Sequence, residues 1–145
     1  MKTEITFYQI DESLVKALAP LLLKMIDEKK KVLIFCSDQS KIQEIDGALW
    51  GYGRNKFIPH TTIFDKEFSL RRQPILISNC EENSNEADYL IFLDEVSEAF
   101  LSSFSRVFYF FGSEKSSTAL DLAKKLKPKN FYEKRDGKWV SVGRG

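Results

Sequence analysis

The sequence predicts an α/β fold of three layers, in which a mainly parallel β-sheet carries helices on both faces. Short apolar runs alternate along the chain with longer segments whose apolar residues recur every three or four positions. These are the patterns of buried strands and of amphipathic helices. Strands separated by helices of ten or more residues imply right-handed crossovers between parallel strands. The length of 145 residues predicts a single domain over residues 1–145.

The first strand and the first helix follow from this alternation. Residues 4–9 alternate between apolar and polar types, as a half-buried strand does. Asp11 or Ser13 is placed to cap a helix, and Pro20 within its repeat predicts a kink or a late start, because proline lacks a backbone donor. The apolar positions of this helix are Leu14, Leu18, Leu21, Leu22, Met25 and Ile26.

The central strand and helix occupy residues 32–51. Val-Leu-Ile-Phe-Cys at 32–36 is too short for a helix core and predicts a buried parallel strand. Ser37 or Asp38 can cap the next helix, and Trp50 stands at its end, before a glycine. Its predicted inner face consists of Ile42, Ile45 and Leu49. Residues 61–73 have no clean period and predict a surface loop.

The second half repeats the pattern and closes with a hairpin. Strands are predicted at 75–78, 89–93 and 106–111, and a short helix at 96–104 with Ala99, Phe100 and Ser103 facing inward. The last helix spans 113–127 and ends before Pro128, with Ala119, Leu122, Ala123 and Leu126 buried. Asp136-Gly137 supplies the positive φ angles of a tight turn, which predicts a C-terminal β-hairpin.

Composition and charge narrow the classes of function. Apolar residues make up 43% of the chain and the formal net charge is +1, so nucleic-acid binding by overall positive charge is disfavoured. The charge is unevenly spread, because residues 81–98 carry acids and no Lys or Arg, whereas residues 113–145 carry nine basic and four acidic side chains. No segment has the length or composition of a signal peptide or membrane span, so we expect a cytoplasmic protein without membrane contact.

A Rossmann-like sheet usually binds a nucleotide, but the phosphate-binding loop is missing here. Neither glycine-rich phosphate motif follows a predicted strand. Asp94 and Glu95 have the form of a magnesium-binding pair at a strand end, and a degenerate nucleotide-dependent enzyme that uses them is one alternative. The simpler interpretation is that these two acids cap the following helix.

Other chemistry-bearing residues are few. His60 is the one histidine and is best explained as a loop or packing residue. Cys36 and Cys80 lie far apart and outside any C-x-x-C pattern, and Cys36 fits a small buried apolar residue. We therefore expect no catalytic residue, no cofactor and no metal.

Two surface features suggest binding instead of catalysis. The first comprises Trp50, Phe57, Ile58 and Pro59, which lie around a glycine loop just beyond a helix. They either cap the core or form the aromatic anchor of a protein interface, and spacing alone supports both interpretations equally.

The second feature is a basic and aromatic cluster near the C-terminus, formed by Lys124, Lys125, Lys127, Lys129 and Tyr132. Lysines at a helix end are often only solvated, and the helix dipole favours them there. The same pattern suits an acidic peptide with an apolar end. It also suits a single nucleic-acid strand whose bases stack on the aromatic ring.

The order of several short motifs resembles the chi subunit family of bacterial DNA polymerase III holoenzyme. The motifs are Thr6-Phe7-Tyr8, the strand start Lys-Lys-Val-Leu-Ile-Phe-Cys at 30–36, Leu49-Trp50, Phe57-Ile58-Pro59-His60, Arg71-Arg72 and Ile75-Leu76-Ile77-Ser78. The resemblance covers essentially the whole chain and is strongest from Lys30 to Ser78.

This resemblance implies a non-catalytic accessory replication protein whose α/β fold lacks the phosphate loop. It implies binding to the acidic, Phe-ending C-terminal tail of single-stranded DNA-binding protein, and only indirect contact with DNA. The tail would meet Lys124, with Lys125, Lys127 and Lys129 extending the charge and Tyr132 as the aromatic partner. Trp50, Phe57, Ile58 and Pro59 would face the psi subunit, or another clamp-loader or helicase partner.

Overall fold

A computed structural model describes residues 3–10, 13–51, 60–64, 73–135 and 138–141. Within these ranges the strands form one eight-stranded sheet, in the order β3-β4-β2-β5-β6-β1-β7-β8. The strands are β1 (Glu4–Ile10), β2 (Val32–Phe35), β3 (Thr61–Thr62), β4 (Ile75–Ser78), β5 (Tyr89–Phe92), β6 (Arg106–Gly112), β7 (Asn130–Arg135) and β8 (Lys138–Ser141). Within the described ranges, strands β1 to β7 are all parallel, and β8 pairs antiparallel with β7 as the predicted hairpin.

The helices are α1 (Leu14–Asp27), α2 (Gln39–Trp50), α3 (Glu98–Leu101) and α4 (Ser116–Leu126), and a 3₁₀ turn at Ser113–Lys115 leads into α4. None of the helices in the described ranges is long and apolar enough to cross a bilayer. Because each helix returns the chain between parallel strands, α2 and α4 begin at the carboxyl ends of the strands and finish at their amino ends. We call these two sides of the sheet the carboxyl edge and the amino edge.

The core consists of two layers separated by the sheet. Side chains alternate along a strand, so Val32 and Ile34 point to one face whereas Leu33 and Phe35 point to the other. The first face is covered by the apolar sides of α1 and α2, and we call it the α1/α2 face. The second is covered by α3 and α4 and is the α3/α4 face. The predicted three-layer arrangement is therefore observed.

Most predicted elements form within one or two residues of the expected bounds. Ile42, Ile45 and Leu49 are buried as predicted, and the side chain of Asp38 caps α2 by accepting a hydrogen bond from the amide of Ser40 at 2.9 Å. Ser13 precedes α1 without such a side-chain bond. The helix continues through Pro20, so the late start was wrong; the proline lies on the exposed side of the helix.

Two local predictions were wrong. Thr61 and Thr62, expected in a loop, are buried and form the short strand β3 beside β4. In the α3 segment, Leu101 and Phe104 are buried, whereas Ala99 and Ser103 are exposed and Phe100 is half-buried. A helix of four residues is too short for its period to identify the inner face.

Candidate protein-binding surfaces

Trp50 lies at the C-terminal end of α2, at the amino edge of the sheet. Leu49 is buried, and Trp50 projects 100° further around the helix, which here turns it away from the core. The Trp50 side chain is 57% exposed. Of the two interpretations left open by the sequence, the core cap does not fit this exposure, and the interface anchor stays a prediction. Phe57, Ile58 and Pro59 lie outside the described residues.

The side chain of His60 packs against Trp50. Its Nε2 lies 2.9 Å from Oδ1 of Asp46 and 3.2 Å from the carbonyl oxygen of the same residue, and its side chain is fully buried. The ring of Trp50 lies 4.7 Å from the ring of His60, centroid to centroid. The prediction of a packing histidine is confirmed, and the ring is oriented by Asp46, a residue that no sequence pattern indicated. The ring of Trp50 therefore contacts an imidazole that is buried and hydrogen-bonded.

The lysines lie around the C-terminus of α4, which is also at the amino edge but on the other face of the sheet. Lys124 and Lys125 are in the last turn, and Lys127 is the C-cap, with a left-handed φ of 53°. Its amide donates to the carbonyl oxygen of Ala123 at 2.8 Å, and that of Lys129 donates to Ile5 at 2.8 Å. All four lysine side chains are exposed. Lys125 lies 3.7 Å from Glu98, a solvent-exposed ion pair.

The structure does not bring Tyr132 together with these lysines. Tyr132 stacks on Tyr8 at 5.4 Å, and Tyr8 stacks in turn on Phe110, which belongs to the α1/α2 face. Helix α4 covers the opposite face. The aromatic residue of β7 on the α4 side is Phe131, which is partly buried against Phe7.

Leu120, which was not among the binding residues predicted from the sequence, lies on α4 beside these lysines. It is 49% exposed, although it is a large apolar residue on a helix whose inner side is already occupied. Leu120 and Lys124 are four residues apart and therefore neighbours on one side of α4. An exposed leucine within an amphipathic helix could have indicated this spot. We call Leu120, Lys124, Lys125, Lys127 and Lys129 the α4 surface.

Both carboxylate oxygens of Asp94, one of the two acids of the predicted magnesium-binding pair, contact other side chains or backbone of the protein. Its Oδ2 accepts hydrogen bonds from the amide and hydroxyl of Ser37 at 2.8 and 3.0 Å, and its Oδ1 lies 3.2 Å from Nζ of Lys115. Burial by itself would raise the pKa of Asp94, but the hydrogen bonds from Ser37 and the Lys115 ammonium outweigh it and lower the pKa below its ordinary value.

The interpretation of Asp94 and Glu95 as helix caps was wrong, because α3 is capped by the hydroxyl of Ser97. Among the residues that the structure describes, no three His, Cys, Asp or Glu side chains are grouped to hold a metal ion. The Cys36 thiol is buried as predicted, and burial raises its pKa. Asp94 instead ties the ends of β2 and β5 to the start of α4.

Comparison with known proteins finds relatives over most of the chain. The family model described as DNA polymerase III chi subunit, HolC, matches residues 1–125. The DNA polymerase III subunit chi of Pseudomonas aeruginosa is 27% identical over 109 residues, which are 72% of this chain and 74% of that protein. A probable DNA polymerase III subunit chi of Rickettsia prowazekii is 30% identical over 87 residues, 60% of this chain and 52% of the relative, so the match spans about half of that relative's length.

Proposed function

This chain belongs to the DNA polymerase III chi subunit family, and on that premise we propose that it tethers the clamp loader to single-stranded DNA-binding protein. The chi subunit is a non-catalytic accessory subunit of the polymerase. In our proposal the protein is one cytoplasmic domain that grips the acidic tail of single-stranded DNA-binding protein at the α4 surface. It holds psi, or another clamp-loader or helicase partner, at Trp50 and residues 57–59.

The observation that carries this proposal is the position of the two surfaces. Both lie at the amino edge, but α2 packs on one face of the sheet and α4 on the other. The two helices also end near opposite margins of the sheet. The chain continues from α2 to β3 at one margin, and from α4 to β7 next to the other margin. Two proteins bound there would not compete for the same surface, which is the arrangement that a tether requires.

The chemistry of the α4 surface suits an acidic peptide that ends in an aromatic residue. Exposed lysines attract carboxylates, and the negative end of the helix dipole already favours positive side chains there. Leu120 adds an apolar contact for the terminal ring. A disordered tail loses conformational entropy when it binds, so we expect weak affinity that depends on salt.

A titration with a fluorescently labelled tail peptide tests the proposal. Lys124→Glu replaces an attractive charge by a repulsive one and should weaken binding about fivefold at low salt, since exposed pairs contribute about 0.2–1 kcal/mol. Leu120→Asp should weaken it at least as much, because it removes the apolar contact and adds a like charge. Lys24→Glu on α1 is the matched control, because it makes the same change of charge at another exposed lysine.

Three outcomes count against the tail site. One is binding that ignores salt. Another is equal loss in Lys24→Glu and Lys124→Glu. The third is retention of full affinity when the terminal Phe of the peptide is removed. If an oligonucleotide binds more tightly than the peptide, with a steep salt dependence, the surface is a direct single-strand binder instead.

A further inference from the structure

A cleft opens at the carboxyl edge of the sheet and continues along α2 as far as Ala48, two residues before Trp50. It lies between the first turn of α1 and the side of α2, above the ends of β2, β5 and β6, and its volume is about 730 Å³. Binding pockets for ligands usually measure about 300–1,000 Å³. In open α/β sheets, ligands bind in crevices at the carboxyl ends of the strands, where neighbouring crossovers leave to opposite faces. Here α1 and α4 leave β1 and β6 in this way.

The walls of the cleft combine apolar and charged side chains. Leu14 and Val15 supply the α1 side, Ile45 and Ala48 the α2 side, and Phe110 the floor. Leu14 is half-buried and Ala48 exposed, so both side chains remain accessible to a bound group. Val15, Ile45 and Phe110 are already buried in the protein, so a partner would cover apolar surface of Leu14 and Ala48, which is favourable because it removes that surface from water.

The charges around the cleft select against an anionic ligand. Each of its two lysines is next to a carboxylate: Lys41 lies 3.7 Å from Glu44, and Lys115 lies 3.2 Å from Asp94. Asp38 and Glu114 also line the cleft, so four acids face two lysines and leave a net charge of −2. The carboxylate of Glu114 lies against Gly112, at the end of β6. A phosphate would therefore meet net repulsion here, whereas a positive group would be attracted.

We propose that this cleft docks a basic, amphipathic segment of a partner protein. The apolar side chains of the segment enter between α1 and α2, and its Lys or Arg residues meet Asp38 and Glu114. An amphipathic helix laid into an apolar groove combines these two kinds of contact. Ala48 and Trp50 are two positions apart on α2 and therefore point to nearly opposite sides of the helix, and the α4 surface lies on the other face of the sheet. This partner is therefore additional to the tail and to the partner at Trp50.

The test uses a fluorescein-labelled synthetic peptide of leucine and lysine at helical spacing, and the same peptide with glutamate in place of lysine. Fluorescence anisotropy with the full chain should show saturable binding of the lysine peptide, weaker at high salt, and little binding of the glutamate peptide. Glu114→Lys should weaken the lysine peptide about threefold, as expected for exposed charges. Ala48→Arg, which obstructs the apolar wall and adds a like charge, should weaken it about tenfold.

Glu28→Lys is the matched control, because it reverses an exposed acid at the C-terminal end of α1, at the amino edge. Circular dichroism establishes that each variant is folded. Equal affinities for wild type, Glu114→Lys and Ala48→Arg would overturn the proposal. So would an equal loss in Glu28→Lys and Glu114→Lys, or tighter binding of the glutamate peptide.

Discussion

Replacement of Asp94 by alanine should destabilise the fold, because this one carboxylate joins three segments that are distant in sequence. It accepts hydrogen bonds from the amide and hydroxyl of Ser37, and it pairs with the ammonium of Lys115. Alanine would leave the Ser37 amide and the Lys115 ammonium without this acceptor. The ends of β2 and β5 and the start of α4 would then lose their common polar contact.

The size of the loss in the free energy of unfolding depends on how exposed Asp94 and its partners are. Hydrogen bonds to charged groups contribute about 1.5–3 kcal/mol. The side chain of Asp94 is 28% exposed and that of Lys115 is 44% exposed, so water screens the ion pair and most of the effect comes from the Ser37 bonds. We expect a loss of about 2 kcal/mol in the free energy of unfolding. For a chain of this size, that corresponds to about 4–8 °C in the melting temperature.

Urea unfolding followed by circular dichroism measures this loss. Glu95→Ala is the matched control, because Glu95 is the adjacent acid and is exposed; its effect should stay within about 0.5 kcal/mol. Equal losses in the two variants would refute the reasoning, as would a loss below about 0.5 kcal/mol in Asp94→Ala.

The same carboxylate gives the difference between wild type and Asp94→Ala a defined pH dependence. The pKa of Asp94 is lowered in the folded state, since the Ser37 and Lys115 contacts outweigh the effect of burial. A group with a lowered folded pKa contributes stability that is complete above its unfolded pKa and is lost as pH falls through the folded value. The difference should therefore be constant above about pH 5 and shrink below about pH 4. A difference that grows on acidification would contradict the assignment.

Two further predictions concern the Trp50 surface. His60→Ala should lower the free energy of unfolding by about 2–3 kcal/mol in urea, because it removes a buried ring and leaves Asp46 without its partner; an unchanged midpoint would contradict this support role. Trp50→Ala should lower the free energy of unfolding by only about 1 kcal/mol, since the residue is 57% exposed and contacts mainly the ring of His60, yet it should abolish retention of polymerase subunits in a pull-down from native extract. Lys24→Ala, at an exposed position of α1 outside both surfaces, is the control, and equal retention by both variants would exclude Trp50 as the anchor.

Sequence patterns were sufficient wherever burial repeats over many residues. The buried runs that became β2, β4, β5 and β6 are almost wholly apolar, and α1, α2 and α4 carry several turns of a helical repeat. Patterns failed where an element is short. Strand β3 has two residues, and α3 has a single turn, so neither contains a full period from which a buried side could be identified.

Some features of the site residues could likewise be predicted from the sequence, and others could not. Trp50 could be selected because a tryptophan that follows a buried leucine at a helix end is visible in the sequence. The contact of Trp50 with His60 could not be predicted from the sequence. His60 is held by Asp46, which lies 14 residues away, and the two meet only when α2 and β3 are placed side by side. The face occupied by Tyr132 depends on the register of β7 against β1, and a shift of one residue would move the ring to the α4 side.

The amino-acid sequence by itself thus determined the layers, the nearly all-parallel sheet and the family, because these depend on local periodicity and on motif order along the chain. The tertiary structure decided which polar groups meet. Asp94 contacts Ser37, 57 residues away, and Lys115, 21 residues away, and it ties the strand ends together where a metal-binding pair had been an alternative. Contacts of this kind arise from the order of strands in the sheet, and periodicity carries no information about that order.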